Sequence, residues 1–197
     1  MTYRVFPVAL SLALGALSPA FPVASTTSGA AVAVCFSPEE DCTAFATDAI
    51  DAAERQILVN AYALTTGSGV VEALIRAKQR GVDVKLIVDR TTPCERGSGI
   101  EPLARIGVPI WIDRGVRIAH ATAMVIDDEV ALVGSMNWTA SAARNSEHLN
   151  LIASLAVAAA YAAHWRDRQA VSVPFARRED WCRRPEVADF RSELPPR

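Results

Sequence analysis

Residues 57–88 read ILVNAYALTTGSGVVEALIRAKQRGVDVKLIV. The first eight, 57–64, form a short apolar run of the kind that makes a buried strand. Ser68 is placed to cap a helix running to Arg80, with Val70, Val71, Leu74 and Ile75 on one face and Gly81 after its end. Residues 84–88 (VKLIV) give a second strand. Upstream, residues 31–36 (AVAVCF) are β-prone, and 42–55 place Phe45, Ala46, Ala49, Ile50 and Ala53 at helical spacing. The order β-α-β-α-β builds an α/β domain. Downstream, 90–99 is a loop, 100–106 a short helix and 108–112 a strand. Residues 121–126 and 130–133 are strands joined at Asp127-Asp128-Glu129; 139–145 is a short helix, 149–152 a strand and 153–168 an alanine-rich helix. The expected fold is α/β, a mixed β-sheet flanked by helices on both faces. No internal repeat is visible.

The chain has 197 residues, with 20 Lys and Arg against 22 Asp and Glu, a formal net charge of −2. About half of it, 51%, is hydrophobic and 21% is charged, which excludes a disordered or collagen-like chain. The acidic balance argues against coating nucleic acid through bulk positive charge. Residues 1–25 have one cation, Arg4, then a short apolar run, then small residues, the parts of a cleaved secretory signal. The run is too short to span a membrane, and Pro19 and Pro22 interrupt it. The expected organisation is therefore a signal at 1–25, a domain at 31–168 and an irregular, proline-bearing tail at 169–197, in a periplasmic or secreted protein without stable membrane insertion. Cys35, Cys42, Cys94 and Cys182 follow the signal, and an even count in an exported chain favours disulfides. Three pairings exist. Cys35 and Cys42 bracket a short turn, which favours Cys35–Cys42 with Cys94–Cys182.

Residues 117–150, RIAHATAMVIDDEVALVGSMNWTASAARNSEHLN, carry the chemistry. With His120 opening a strand, His120 and Thr122 project from one face about 7 Å apart. The next strand ends in Gly134-Ser135-Met136-Asn137, where Ser135 and Asn137 are again two apart and Gly134 admits a close approach of backbone to a ligand. A helix starting near Thr139 would favour an anion. An imidazole, a hydroxyl and an amide converging in this way suit a phosphate.

This stretch resembles the phospholipase D superfamily, whose signature is His-x-Lys, four residues, Asp, six residues, Gly-Ser-x-Asn. Here it becomes His120-Ala121-Thr122, Asp127 and Gly134-Ser135-Met136-Asn137, with Asn145-Ser146-Glu147 resembling the Asn-x-Glu that follows. Residues 34–38, 57–62, 73–84 and 134–139 are similar to the small single-domain bacterial nuclease branch. One position departs from the motif: Thr122 stands where the family has lysine.

The resemblance implies a metal-free phosphodiesterase that needs no cofactor. His120 would attack phosphorus to form a phosphohistidine, and a second histidine would protonate the leaving oxygen and then activate water. Glu147 is the candidate carboxylate to fix the imidazole tautomer. Asp127 is the motif aspartate, holding the turn or a partner cation; Thr122, Ser135 and Asn137 are the phosphate-binding candidates. The chain has one motif and three histidines, so the resemblance implies a homodimer that brings two copies of His120 to one site. His148 reads as surface or structural and His164 as packing or solvent. No HExxH or cysteine cluster supports a metal. Arg114 and Arg117 are candidates to replace the lysine charge. The substrate is a phosphodiester, with DNA or RNA favoured over a phospholipid headgroup; Thr122 also leaves open an inactive phosphate-binding protein.

Overall fold

A computed structural model describes residues 30–176 together with 181 and 182; the expected signal segment and most of the tail beyond the last helix lie outside the described residues. The described chain forms a mixed sheet of eight strands in the order β1-β7-β6-β5-β2-β3-β4-β8. The strands are β1 (Ala31–Ser37), β2 (Gln56–Ala61), β3 (Asp83–Asp89), β4 (Ile110–Asp113), β5 (Ala123–Ile126), β6 (Val130–Gly134), β7 (Glu147–Ala153) and β8 (Val173–Pro174). β2, β3 and β4 run parallel, and the remaining neighbours pair antiparallel. The parallel trio is connected by α2 (Val70–Gln79) and α3 (Ile100–Arg105), as βαβ units require. The other helices are α1 (Cys42–Asp51) and α4 (Leu155–Ala170).

The main core lies between the sheet and α1, α2 and α3, with Ile57, Val59, Leu86, Met124, Leu132 and Trp138 buried in it. A second core covers the opposite face: Leu58, Ile87 and Val125 meet Ala158, Ala162 and Trp165 of α4. Those three α4 residues recur at i, i+4 and i+7, the apolar stripe of a helix lying on a sheet. The Trp165 indole N–H donates to the Val59 carbonyl at 3.0 Å, so this ring is buried without stranding its polar atom. The fold class read from the sequence is thus the one observed.

Several boundaries differ. α1 ends at Asp51 because Ala52 and Ala53 donate to the Asp48 and Ile50 carbonyls and turn the chain into β2. The helix expected at 139–145 shrinks to a single 3-10 turn, Ala142–Arg144. The chain after α4 is not wholly irregular, since Val173 and Pro174 pair with Ile112 and Trp111. Proline is tolerated there because β8 lies at the sheet's edge.

Two disulfides form, Cys35–Cys42 and Cys94–Cys182. Both fit an oxidising, non-cytoplasmic compartment. No helix among the described residues is long and apolar enough to cross a membrane. The second bridge joins positions 88 residues apart, so it removes much entropy from the unfolded chain. Replacing Cys94 and Cys182 together by serine is expected to lower the unfolding free energy by about 2–5 kcal/mol, read as a lower urea midpoint; an unchanged midpoint would contradict that role.

Candidate active site

The chemistry-bearing residues gather at one end of the sheet. Tyr62 follows β2, while Asp89 ends β3 and Asp113 ends β4. His120 and Thr122 precede β5, Ser135 and Asn137 follow β6, and Glu147 opens β7. For the parallel trio this is the carboxyl end of the strands, where open α/β sheets bind ligands.

His120 does not open a strand as expected. Residues 114–122 form an irregular loop, and β5 begins only at Ala123. Two buried carboxylates hold this loop. Asp113 accepts from the Gly115 N–H at 3.0 Å, and Asp89 accepts from the Ala119 N–H at 2.7 Å. Asp89 is also bonded by the Thr91 N–H and hydroxyl. Asp113 forms a two-point pair with Arg168 of α4, Nε at 2.8 Å and Nη2 at 2.7 Å. Sequence reasoning missed both aspartates; the available signal was a carboxylate closing an apolar strand, in IVD at 87–89 and WID at 111–113.

The His120 side chain is exposed, and its ring sits 4.3 Å from that of Tyr62, centroid to centroid. Thr122 Oγ1 lies 3.5 Å from Asn137 Oδ1, which joins the two halves of the motif. Trp138 is fully buried, and its indole N–H donates to the Asn60 carbonyl. It is therefore a packing anchor beneath the site. Ser135 donates to Glu147 Oε2 at 2.6 Å and accepts from the His148 N–H, while Asn145 donates to Glu147 Oε1 at 3.1 Å. Both Glu147 oxygens are thus engaged within the Ser135–Asn145 cluster, and no hydrogen bond joins Glu147 to His120 within one chain.

Two expectations need correction, and Asp127, a catalytic candidate as the motif aspartate, takes the structural role also expected of it, holding the turn. Gly134 is explained by the sheet rather than by a ligand: a Cβ there would run into the His148 carbonyl of the adjacent strand, so the glycine allows β6 and β7 to pair. The anion site expected at a helix start near Thr139 is absent, because only the three-residue 3-10 turn is present. Asp127 is not with His120. It lies beyond the opposite end of β5, in the turn to β6, with φ of 54°. Its carboxylate accepts from the backbone N–H groups of Glu54, Arg55 and Gln56 at 2.7–2.9 Å. The Arg55 guanidinium bonds its carbonyl. Asp127 therefore ties the β5–β6 hairpin to the start of β2. Arg114 is likewise engaged elsewhere, with its guanidinium 5.5 Å from the centre of the Trp181 ring.

Among the described residues no group of three or more metal-ligating side chains is assembled. Burial pushes the Asp127 carboxyl up, but the bonds from Glu54, Gln56 and Arg55 and the Arg55 charge outweigh it, so its pKa is lowered. A lowered carboxylate stabilises the fold above the unfolded pKa, and that contribution is lost as pH falls through the native value. Asp127→Ala should therefore cost about 1–3 kcal/mol near neutrality, and its deficit against the parent should narrow in urea titrations as pH is lowered through the carboxylate range. A deficit that stays constant would contradict a charge-dependent tie.

The comparisons agree with this geometry. The family model for the cardiolipin synthase, PLD-like domain matches residues 46–168. A protein named phospholipase D from Rickettsia conorii is 35% identical over 161 residues, 81% of this chain and 80% of that relative. The crystal structure of a phospholipase D family member, Nuc from Salmonella typhimurium, superposes with a TM-score of 0.67 at 31% identity, over 75% of this chain and 99% of Nuc. NucT from Helicobacter pylori, with a TM-score of 0.68 at 18% identity over 75% of this chain and 100% of NucT, shares the fold. With the family model spanning more than half of its length and a relative at 35% identity matched over four fifths of both chains, the chain belongs to the phospholipase D superfamily.

Proposed function

We propose that this protein is a metal-independent phosphodiesterase acting on nucleic acid, through a phosphohistidine on His120 at a site shared by two subunits. The observation that carries the reading is the placement of His120. Its imidazole is exposed, has no hydrogen-bond partner among the described residues, and belongs to the same end of the sheet as the Thr122–Asn137 pair. The likeness to Nuc, a phospholipase D family member matched over almost all of its length, supports a phosphodiesterase, and the resemblance of residues 34–38, 57–62, 73–84 and 134–139 to the small bacterial nuclease branch favours nucleic acid.

In the proposed reaction the neutral His120 imidazole attacks phosphorus and the diester's leaving oxygen departs with a proton from a second imidazole. Water, giving its proton to that second imidazole, then displaces the histidine from phosphorus and restores the site. Histidine suits both roles because its charge changes near neutral pH. His148 follows Glu147 in β7, so the two side chains alternate across the sheet, and its backbone is committed to Ser135. A second copy of His120 from a two-fold partner supplies the missing group. Because Glu147 is not bonded to His120 within one chain, the carboxylate that sets the tautomer arrives with the partner or on substrate binding. Asn137 and Thr122 would face the phosphoryl oxygens, and Ser135 would hold Glu147 in place. Export to the periplasm or medium completes the reading.

A second reading, hydrolysis of phospholipid headgroups, is favoured by the Rickettsia relative named phospholipase D. Plasmid nicking and phosphatidylcholine hydrolysis, both run in EDTA, separate the two: nicking without lipid turnover is expected, and the reverse selects the lipid. His120→Ala should abolish either activity. If neither substrate turns over, the protein is a phosphate-binding relative without catalysis.

Thr122 supplies a hydroxyl where the motif has a cation. One positive charge about 4 Å from the phosphate, at an effective dielectric near 20, is worth about 4 kcal/mol. Thr122→Lys is therefore expected to raise the turnover number by about 10²–10³. An unchanged rate from a clear baseline would mean that another group already does this work. Light scattering during size exclusion should show a dimer at assay concentration; an active monomer would overturn the shared site.

A further inference from the structure

The two lysines of the chain, Lys78 in α2 and Lys85 in β3, cannot replace the missing motif cation, since Lys85 is paired with Asp83 at the far end of the sheet. A cavity beside His120 gathers other N–H donors. It measures about 230 Å³ and opens between the His120 loop and α4, with Asn60 and Ile87 on its floor. His164 and Arg168 of α4 line it together with His120. His164 and Arg168 are four residues apart, so they stack on one helix face. Arg168 is not a loose surface cation. Its side chain is 24% exposed, and Nε and Nη2 are fixed by the buried Asp113.

Three polar side chains that line this space have no hydrogen-bond partner among the described residues: the exposed imidazoles of His120 and His164 and the half-buried amide of Asn60. Their hydrogen-bonding capacity is open to a polar ligand in exchange for water. The cavity is smaller than the roughly 300–1,000 Å³ that holds a drug-sized molecule, so its occupant is a small group. Two imidazoles, a guanidinium and an amide give donors without a free carboxylate, because Asp113 is consumed by Arg168 and Gly115. This donor set selects an oxyanion.

We propose that this cavity binds a phosphate group of the substrate, with the His164 imidazole and the Arg168 guanidinium as N–H donors to it; the inference rests on the phosphodiesterase reading of His120. His164, expected from the sequence to be packing or solvent, becomes a binding residue. Such a phosphate belongs either to a polynucleotide or to a glycerophospholipid headgroup.

The test is a titration of the full protein with inorganic phosphate, followed through the ring resonances of its histidines by NMR. His120 and His164 should shift together with one dissociation constant, and His164→Ala should weaken that affinity roughly tenfold, the worth of one charge-assisted bond. Arg168→Gln alone would leave Asp113 buried and unpaired, so it is made together with Asp113→Asn, and the double variant should weaken phosphate similarly. A thymidine dinucleotide and glycerophosphocholine then compete with phosphate; displacement by either supports the inference and names the source. If phosphate moves His120 while His164 stays still and His164→Ala binds as the parent does, the inference is overturned. It is also overturned if phosphate binds and neither diester displaces it. Failure of the underlying reading looks different: no diester is turned over by the parent or by Thr122→Lys, whatever phosphate does.

Discussion

Two buried carboxylates at the ends of neighbouring parallel strands determine what this protein can do. Asp89 and Asp113 are both at most 2% exposed, and each offers its oxygens to backbone N–H groups of the loop that carries His120. A loop without regular structure would otherwise leave those N–H groups unpaired against the protein. Asp113 adds the two-point bond to Arg168, so one carboxylate fixes both the loop and the last turns of α4. Breaking such a buried pair by removing one partner typically costs about 3–5 kcal/mol. The loop that carries His120 is thus held by carboxylates buried beneath it.

The fold and the site draw on opposite ends of the same strands. At the far end, Asp127 closes the β5–β6 hairpin and ties it to β2 through three backbone bonds. At the near end, β6 and β7 deliver Ser135, Asn137 and Glu147 beside the loop from β4. Gly134 lets β6 and β7 approach where those side chains emerge. A motif that looks continuous in sequence is therefore two devices, one structural and one chemical, about four strand residues apart through β5.

Much of this was legible in the sequence. The apolar runs at 57–64 and 84–88 flanking an amphipathic stretch could only be a βαβ unit, because each element had to bury a face. The cysteine pairing followed from the short turn between Cys35 and Cys42. What was not legible has a common cause. His120 was placed in a strand because the local pattern alternates, yet a tertiary bond from Asp89, thirty residues away in sequence, holds that segment as a loop. The helix expected at 139–145 lost to backbone bonds that tie Trp138 to Ala63 and Thr65, far earlier in the chain. His164 read as ordinary because its relation to His120 exists only once α4 crosses the sheet. Side chains placed by long-range contacts leave little trace in local periodicity.

The central claim is that the His120 imidazole bonds to phosphorus during turnover. Rapid alkaline quench of the protein on a phosphodiester, followed by peptide mass mapping, reads this directly. A base-stable phosphoryl adduct confined to the peptide bearing His120, formed and lost at the rate of turnover, is the predicted result. Diester cleavage with no adduct on His120, or with the adduct on another side chain, would contradict it.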